Sequence, residues 1–147
     1  MVHKQRISYG AEPAQYGDLY LPLGPGPHPV LIAIHGGRWQ ASSSLQGIAA
    51  ASASLAEGGI AVWNIEYRRL GILGGGWPGT WEDVGKATDY LRELAPPHGL
   101  DLNRVVALGH SAGGPLALWL AGRHRLPSAS ELFVRNPHRL AGVISCA

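Results

Sequence analysis

The stretch Gly109-His110-Ser111-Ala112-Gly113 places a hydroxyl between glycines two residues away on either side. A serine can attack a carbonyl only when its oxygen is presented to substrate beside groups that accept the resulting negative charge. G-x-S-x-G meets the first need when it joins a buried strand to a helix, because the tight turn lifts the serine over the strand end. Gly109 and Gly113 are the positions where a side chain would obstruct such a turn. The helix that follows supplies unpaired N–H groups and positive dipole character at its N-terminus. Pro115 is tolerated in that first turn. Ser111 is therefore the expected nucleophile.

A second stretch, His35-Gly36-Gly37-Arg38-Trp39, follows another apolar run. Its paired glycines let backbone approach a substrate and aim N–H groups at it. Arg38 stands where a third glycine could stand, and it keeps its amide. His35 reads as a hydrogen-bonding residue that shapes the loop, not as a general base.

These two loops need elements to position them. Val30–Ile34, a run of five apolar residues, and Ile60–Ile65 and Val105–Leu108 are expected as buried strands. Ile7–Tyr9 and Gln15–Leu21 are expected as an edge hairpin, and Leu140–Ala147 as one more strand. Ser42 is the expected cap of a helix through Leu45, Ile48, Ala49, Ser52, Leu55 and Ala56, stopped by Gly58-Gly59. Thr80 and Asp83 have capping-box spacing. Val84, Ala87, Leu91 and Leu94 form the stripe of the next helix, which Pro96-Pro97 should end. A helix over Ala112–Ala121 should follow Ser111. Strands alternating with helices imply an α/β fold, a doubly wound and mostly parallel sheet, with ligands beyond the carboxyl ends of its strands. Arg68 and Asp83 should pair and tie the Gly71–Pro78 loop to that sheet.

With 147 residues the chain has room for one domain, residues 1–147. Hydrophobic residues make up 46% and charged residues 15%, as suits a sheet covered on both faces. A net charge of +2 gives no argument for nucleic acid or membrane partners. The four arginines between Arg123 and Arg139 read as a solvated connection. Walker A and dinucleotide fingerprints fail, and His35 and His110 have no metal-ligand spacing, so no cofactor and no metal are expected. Cys146 is the single cysteine. It excludes an intrachain disulfide and should be a small buried hydrophobe. The start has no apolar signal region and no run approaches a membrane span, so the expected compartment is cytoplasmic.

The chain resembles the α/β-hydrolase superfamily, in its esterase and acylamide-hydrolase branch. It is similar to carboxylesterases, feruloyl-esterase-like and kynurenine-formamidase-like proteins. The resemblance rests on His35–Trp39, Glu66-Tyr67-Arg68, Trp77-Pro78, Asp101 to Arg104, and Gly109–Gly114. It implies hydrolysis of a small carboxylic ester or amide through an acyl-Ser111 intermediate, with the Gly37, Arg38 and Ala112 amides as oxyanion hole. A serine peptidase of the prolyl-oligopeptidase type is the alternative within the fold. The resemblance also implies an acid and then a histidine after Ser111. The only acid there is Glu131 and the only histidines are His124 and His138. None follows a late strand, so the chain reads as the N-terminal part of that fold through about its sixth strand. The other reading is thus a truncated, catalytically incomplete hydrolase fragment. Its last strand should form an open edge through which the chain could self-associate.

Overall fold

A computed structural model describes residues 2–146. Six strands form one sheet: β1 (His3–Ser8), β2 (Tyr16–Leu21), β3 (His28–Ile34), β4 (Ala61–Ile65), β5 (Leu100–His110) and β6 (Gly142–Cys146). Four α-helices connect them: α1 (Ala49–Glu57), α2 (Gly79–Asp89), α3 (Leu91–His98) and α4 (Gly113–Gly122). The sheet order is β1-β2-β4-β3-β5-β6. The β1–β2 hairpin joins β4 antiparallel, and β4, β3, β5 and β6 are mutually parallel neighbours.

The apolar runs become the central strands because both sheet faces are covered there. All of β4 is buried. Along β3 and β4 the side chains alternate between two cores. Ile32, Ile34, Trp63 and Ile65 pack with Val84, Leu91, Leu116 and Leu120 from α2, α3 and α4. Leu31, Ala33 and Val62 pack on the opposite face with Ala56 of α1. Burying each such large side chain is worth roughly 1.5–3 kcal/mol.

Several boundaries differ from the sequence reading. The first helix is capped by Ser44, not Ser42: Ser44 Oγ accepts the Gln46 N–H (3.3 Å). Ala41 N–H donates to Leu70 O and Ser43 N–H to Gln40 O, so the chain turns helical only at Leu45, through a 3₁₀ turn. Pro96 and Pro97 lie inside α3, in its last turn, and Gly99 (φ +61°) ends it. The helical stripe breaks earlier, at Tyr90. Thr80 lies within α2 and makes no capping box; its hydroxyl donates to Arg68 O (2.6 Å). Cys146 is in the expected strand but is exposed, because β6 pairs only with β5 among the described residues. Ala147, placed at the end of that strand from the sequence, lies outside the described residues.

Asp18 gives the hairpin a charged anchor. Its carboxylate is buried and receives Arg6 Nε–H (2.7 Å) and Lys4 Nζ–H (3.0 Å) from the facing strand. Burial works against its charge, but the bonds from Arg6 and Lys4 outweigh burial and hold its pKa below the ordinary value. A depressed carboxyl contributes stability above its unfolded pKa of about 3.9, and that contribution is lost as pH falls toward the folded value. Urea titrations below pH 4 should therefore show a loss of stability that shrinks in Asp18→Asn. An unchanged acid limb in that variant would remove Asp18 from the account.

Candidate active site

The carboxyl end of β5 runs directly into the elbow. Ser111 has φ +51°, a left-handed conformation that non-glycine residues rarely adopt. Its N–H donates to Cys146 O (2.7 Å), so β6 holds the turn, and its carbonyl accepts the Gly114 N–H (2.9 Å). Gly109 is required because a Cβ there would lie 2.0 Å from Gly113 O. Gly113 is required because its Cβ would lie 2.2 Å from Ile34 O at the end of β3. The first turn of α4 is thus packed onto the sheet, and its N-terminus points toward Ser111.

The His35–Gln40 loop leaves β3 beside this turn. A Cβ on Gly36 would lie 2.7 Å from His110 O and 2.9 Å from Ser111 Cβ, so the two motifs touch. Gly37, Arg38 and Trp39 follow with φ of +109°, +55° and +58°. Two of these three are not glycine, and a left-handed non-glycine residue costs about 1–3 kcal/mol. Hydrogen bonds hold the bend: Gln40 N–H to Gly37 O (3.0 Å), and Leu70 N–H to Trp39 O (2.7 Å). Next to the bend is a cleft of about 410 Å³ lined by His35–Gly37, Ser42–Ser44, Gly47, Ile48 and His110. Another cavity, of about 350 Å³, lies between α2 and α4 under residues 131–134, and neither loop lines it.

Arg68 and Asp83 pair as expected. Arg68 Nη2–H and Nε–H donate to the buried Asp83 carboxylate at 2.8 and 2.9 Å, and the Arg68 backbone N–H donates at 2.8 Å. Gln15 adds a further bond to Asp83 (2.7 Å). The pair ties β4's continuation to α2 and does not face the cleft.

No base is poised at Ser111 among the described residues. His35 is adjacent but has both ring nitrogens occupied: Nδ1–H donates to Gly36 O (2.7 Å), and Nε2 meets Glu66 Oε1 (2.6 Å). His110 lines the cleft without an assigned acid partner. His124 follows α4, about 15 Å along the helix from its start. His138 is engaged elsewhere. Its backbone N–H donates to Asp89 (2.8 Å), and burial, reinforced by Arg92, holds its imidazole pKa below the ordinary value. Glu131 accepts the Trp77 indole N–H (2.7 Å).

The chain matches the BD-FAE family over residues 18–138. It belongs to that family. Esterase LipC of Mycobacterium tuberculosis is 36% identical over 126 residues, covering 82% of this chain and 30% of LipC. Human Carboxylesterase 3 is 35% identical over 130 residues, covering 82% of this chain and 21% of that protein. Esterase B from Lactobacillus rhamnosis, solved with a C4-C4 SN3 tributyrin phosphonate inhibitor, superposes with a TM-score of 0.81 at 29% identity. That match covers 97% of this chain and 47% of the esterase. A bacterial heroin esterase superposes with a TM-score of 0.73 at 29% identity, over 84% of this chain and 40% of that one. These structural relatives are α/β-hydrolase esterases, and the sheet order and crossovers here are those of the N-terminal part of that fold. This BD-FAE chain spans less than half the length of each.

Among the described residues no three or more His, Cys, Asp and Glu gather in a metal-binding group, and no helix is long and apolar enough to cross a membrane. The sequence reading named no contacts for Glu66, Tyr67 and Leu70. Each bonds to the His35–Leu45 segment. Glu66 carried a legible signal, since it is an acid set directly on the end of a mostly apolar run.

Proposed function

We propose that this chain carries the nucleophile and oxyanion site of a serine hydrolase acting on small carboxylic esters or amides. The observation that carries the reading is the left-handed Ser111 at a strand-to-helix turn, in contact with Gly36 of the glycine loop. The esterase relatives support the reaction class. Ser111 Oγ attacks the carbonyl carbon and gives up its proton to a base. The carbonyl oxygen becomes an oxyanion held by the Gly37, Arg38 and Ala112 amides. Collapse expels the alcohol or amine with a proton and leaves an acyl-Ser111 ester, which water then hydrolyses. The α4 N-terminus favours the same developing charge. A reducing cytoplasm is the proposed compartment, in view of the single cysteine.

A second reading is favoured by the placement of His124, His138 and Glu131. Taken alone, residues 1–147 form the oxyanion cradle without the base, so turnover depends on a histidine and an acid contributed by further polypeptide. A fluorophosphonate separates the readings: Ser111 Oγ bonds to phosphorus, and fluoride leaves as the serine proton goes to solvent or base. Slow labelling confined to Ser111, absent in Ser111→Ala, is expected of the incomplete site. Rapid labelling would show that a histidine of this chain reaches the hydroxyl. Labelling that survives Ser111→Ala would sink both readings.

A further inference from the structure

We infer that Glu66 is the positioning residue that sets the His35–Leu45 segment, and with it the backbone N–H groups facing the elbow. The inference rests on the oxyanion reading of Gly37 and Arg38 for its functional meaning. The clamp itself is read from contacts alone.

Glu66 follows β4 and is completely buried. A buried carboxylate must have its lone pairs matched by donors. Its two oxygens reach opposite ends of one loop. Oε1 meets His35 Nε2 (2.6 Å), where the segment leaves β3. Oε2 accepts the Leu45 N–H (3.1 Å), where it becomes helical. The Tyr67 N–H (3.2 Å) and Arg69 Nε (3.4 Å) complete the ring of donors. A single rigid group therefore spans the start and the end of the segment that contains the three left-handed residues.

The neighbours of Glu66 act on the same segment. Tyr67 stacks on the His35 ring (4.6 Å between centroids) and donates its hydroxyl to His35 O (2.8 Å). Asn64 Nδ2–H donates to Leu45 O (3.0 Å). Leu70 bonds Trp39 O and the Ala41 N–H in the middle. A loop with strained torsions and two glycines would relax without restraint. Here the restraint comes from the end of β4 and the run after it, and among the described residues Glu66 is the member that grips both ends.

Isosteric replacement distinguishes a clamp from a merely filled space. Glu66→Gln can keep both bonds: its carbonyl oxygen accepts Leu45 N–H, and its amide donates to His35 Nε2 while His35 Nδ1–H still donates to Gly36 O. Glu66→Leu keeps the volume and loses both. Hydrogen exchange of the full chain should show peptides over 35–45 exchanging at least tenfold faster in Glu66→Leu, with β5 unchanged, and Glu66→Gln returning to within about threefold of wild type. Fluorophosphonate labelling of Ser111 should slow in parallel. Should Glu66→Leu not fold, His35→Phe, which keeps the ring on Tyr67 but breaks the link to Glu66, must show the same local acceleration. Exchange over 35–45 that stays at the wild-type rate, or rises equally in β5, overturns the clamp. A wild-type chain that never labels at Ser111 overturns the oxyanion reading instead and leaves the exchange comparison standing.

Discussion

With a complementing polypeptide that brings a histidine and its acid to Ser111, Ser111→Ala is expected to cut kcat for an activated aryl ester by about 10⁴-fold or more. In the 147-residue chain alone the same substitution is expected to change turnover by less than about tenfold. The two results have one cause. A serine hydroxyl is a weak nucleophile until a neighbouring base takes its proton, and among the described residues no histidine is hydrogen-bonded to the Ser111 hydroxyl. His35 spends both ring nitrogens on Gly36 O and Glu66. His138 lies off the cleft, its backbone N–H bonded to Asp89. Removing Ser111 from such a site removes a group that is placed but not activated. On the proposed reading the Gly37, Arg38 and Ala112 amides and the helix terminus remain, and they would supply only the modest acceleration that binding and charge stabilisation give without covalent chemistry. Steady-state assays of both chains, with and without the complementing polypeptide, check this. A 10⁴-fold effect in the isolated chain would mean that a base operates within it.

Gly113→Ala should be among the most destabilising single-methyl additions, costing about 3 kcal/mol or more in urea denaturation. The added Cβ would lie 2.2 Å from Ile34 O and 2.9 Å from His35 O. Both are backbone atoms at the end of β3, so no rotamer change relieves the overlap. Relief requires α4 to lift from the sheet, which unpacks Leu116, Ala117 and Leu120 from the core. Gly122→Ala is the matched control in the same helix. Nothing lies within 4 Å of its new methyl, and alanine's better helix propensity should make the change neutral or stabilising by up to about 1 kcal/mol. Equal midpoints for the two variants would show that α4 does not bear on β3 in the way the geometry requires.

What the sequence made legible was whatever depends on neighbouring residues. Val30–Ile34 is apolar throughout and Ile60–Ile65 is so except for Asn64, and both become central strands within a few residues of the expected limits. The elbow was legible because its glycines and serine are contiguous. Contacts that skip along the chain were not. Thr80 has capping-box spacing, yet Arg68 O offers its hydroxyl a partner from another element. Pro96-Pro97 reads as a stop, but both sit in the last turn of a short helix that ends at the left-handed Gly99. Cys146 has the composition of a core residue, and only the sheet order shows it on an outer strand. The meaning of Glu66 depends on two loop ends that are twenty or more residues away in sequence.

The position of β3 between β4 and β5 also governs how the molecule can be synthesised. Val30 pairs with Ala61 on one side and Val105 on the other, so this largely apolar strand emerges from the ribosome long before both partners exist. The β1–β2 hairpin can close early, but it docks on β4 and so cannot shelter β3. Parallel pairings of such long range form slowly and leave apolar strand surface open to chaperones or to other nascent chains. The ribosome releases Ser111 immediately after β5, the strand that finally encloses β3. Elbow and sheet interior must therefore assemble together, and a nascent chain stalled before Val105 would leave β3 paired on one side only, with the glycine loop made but the elbow missing.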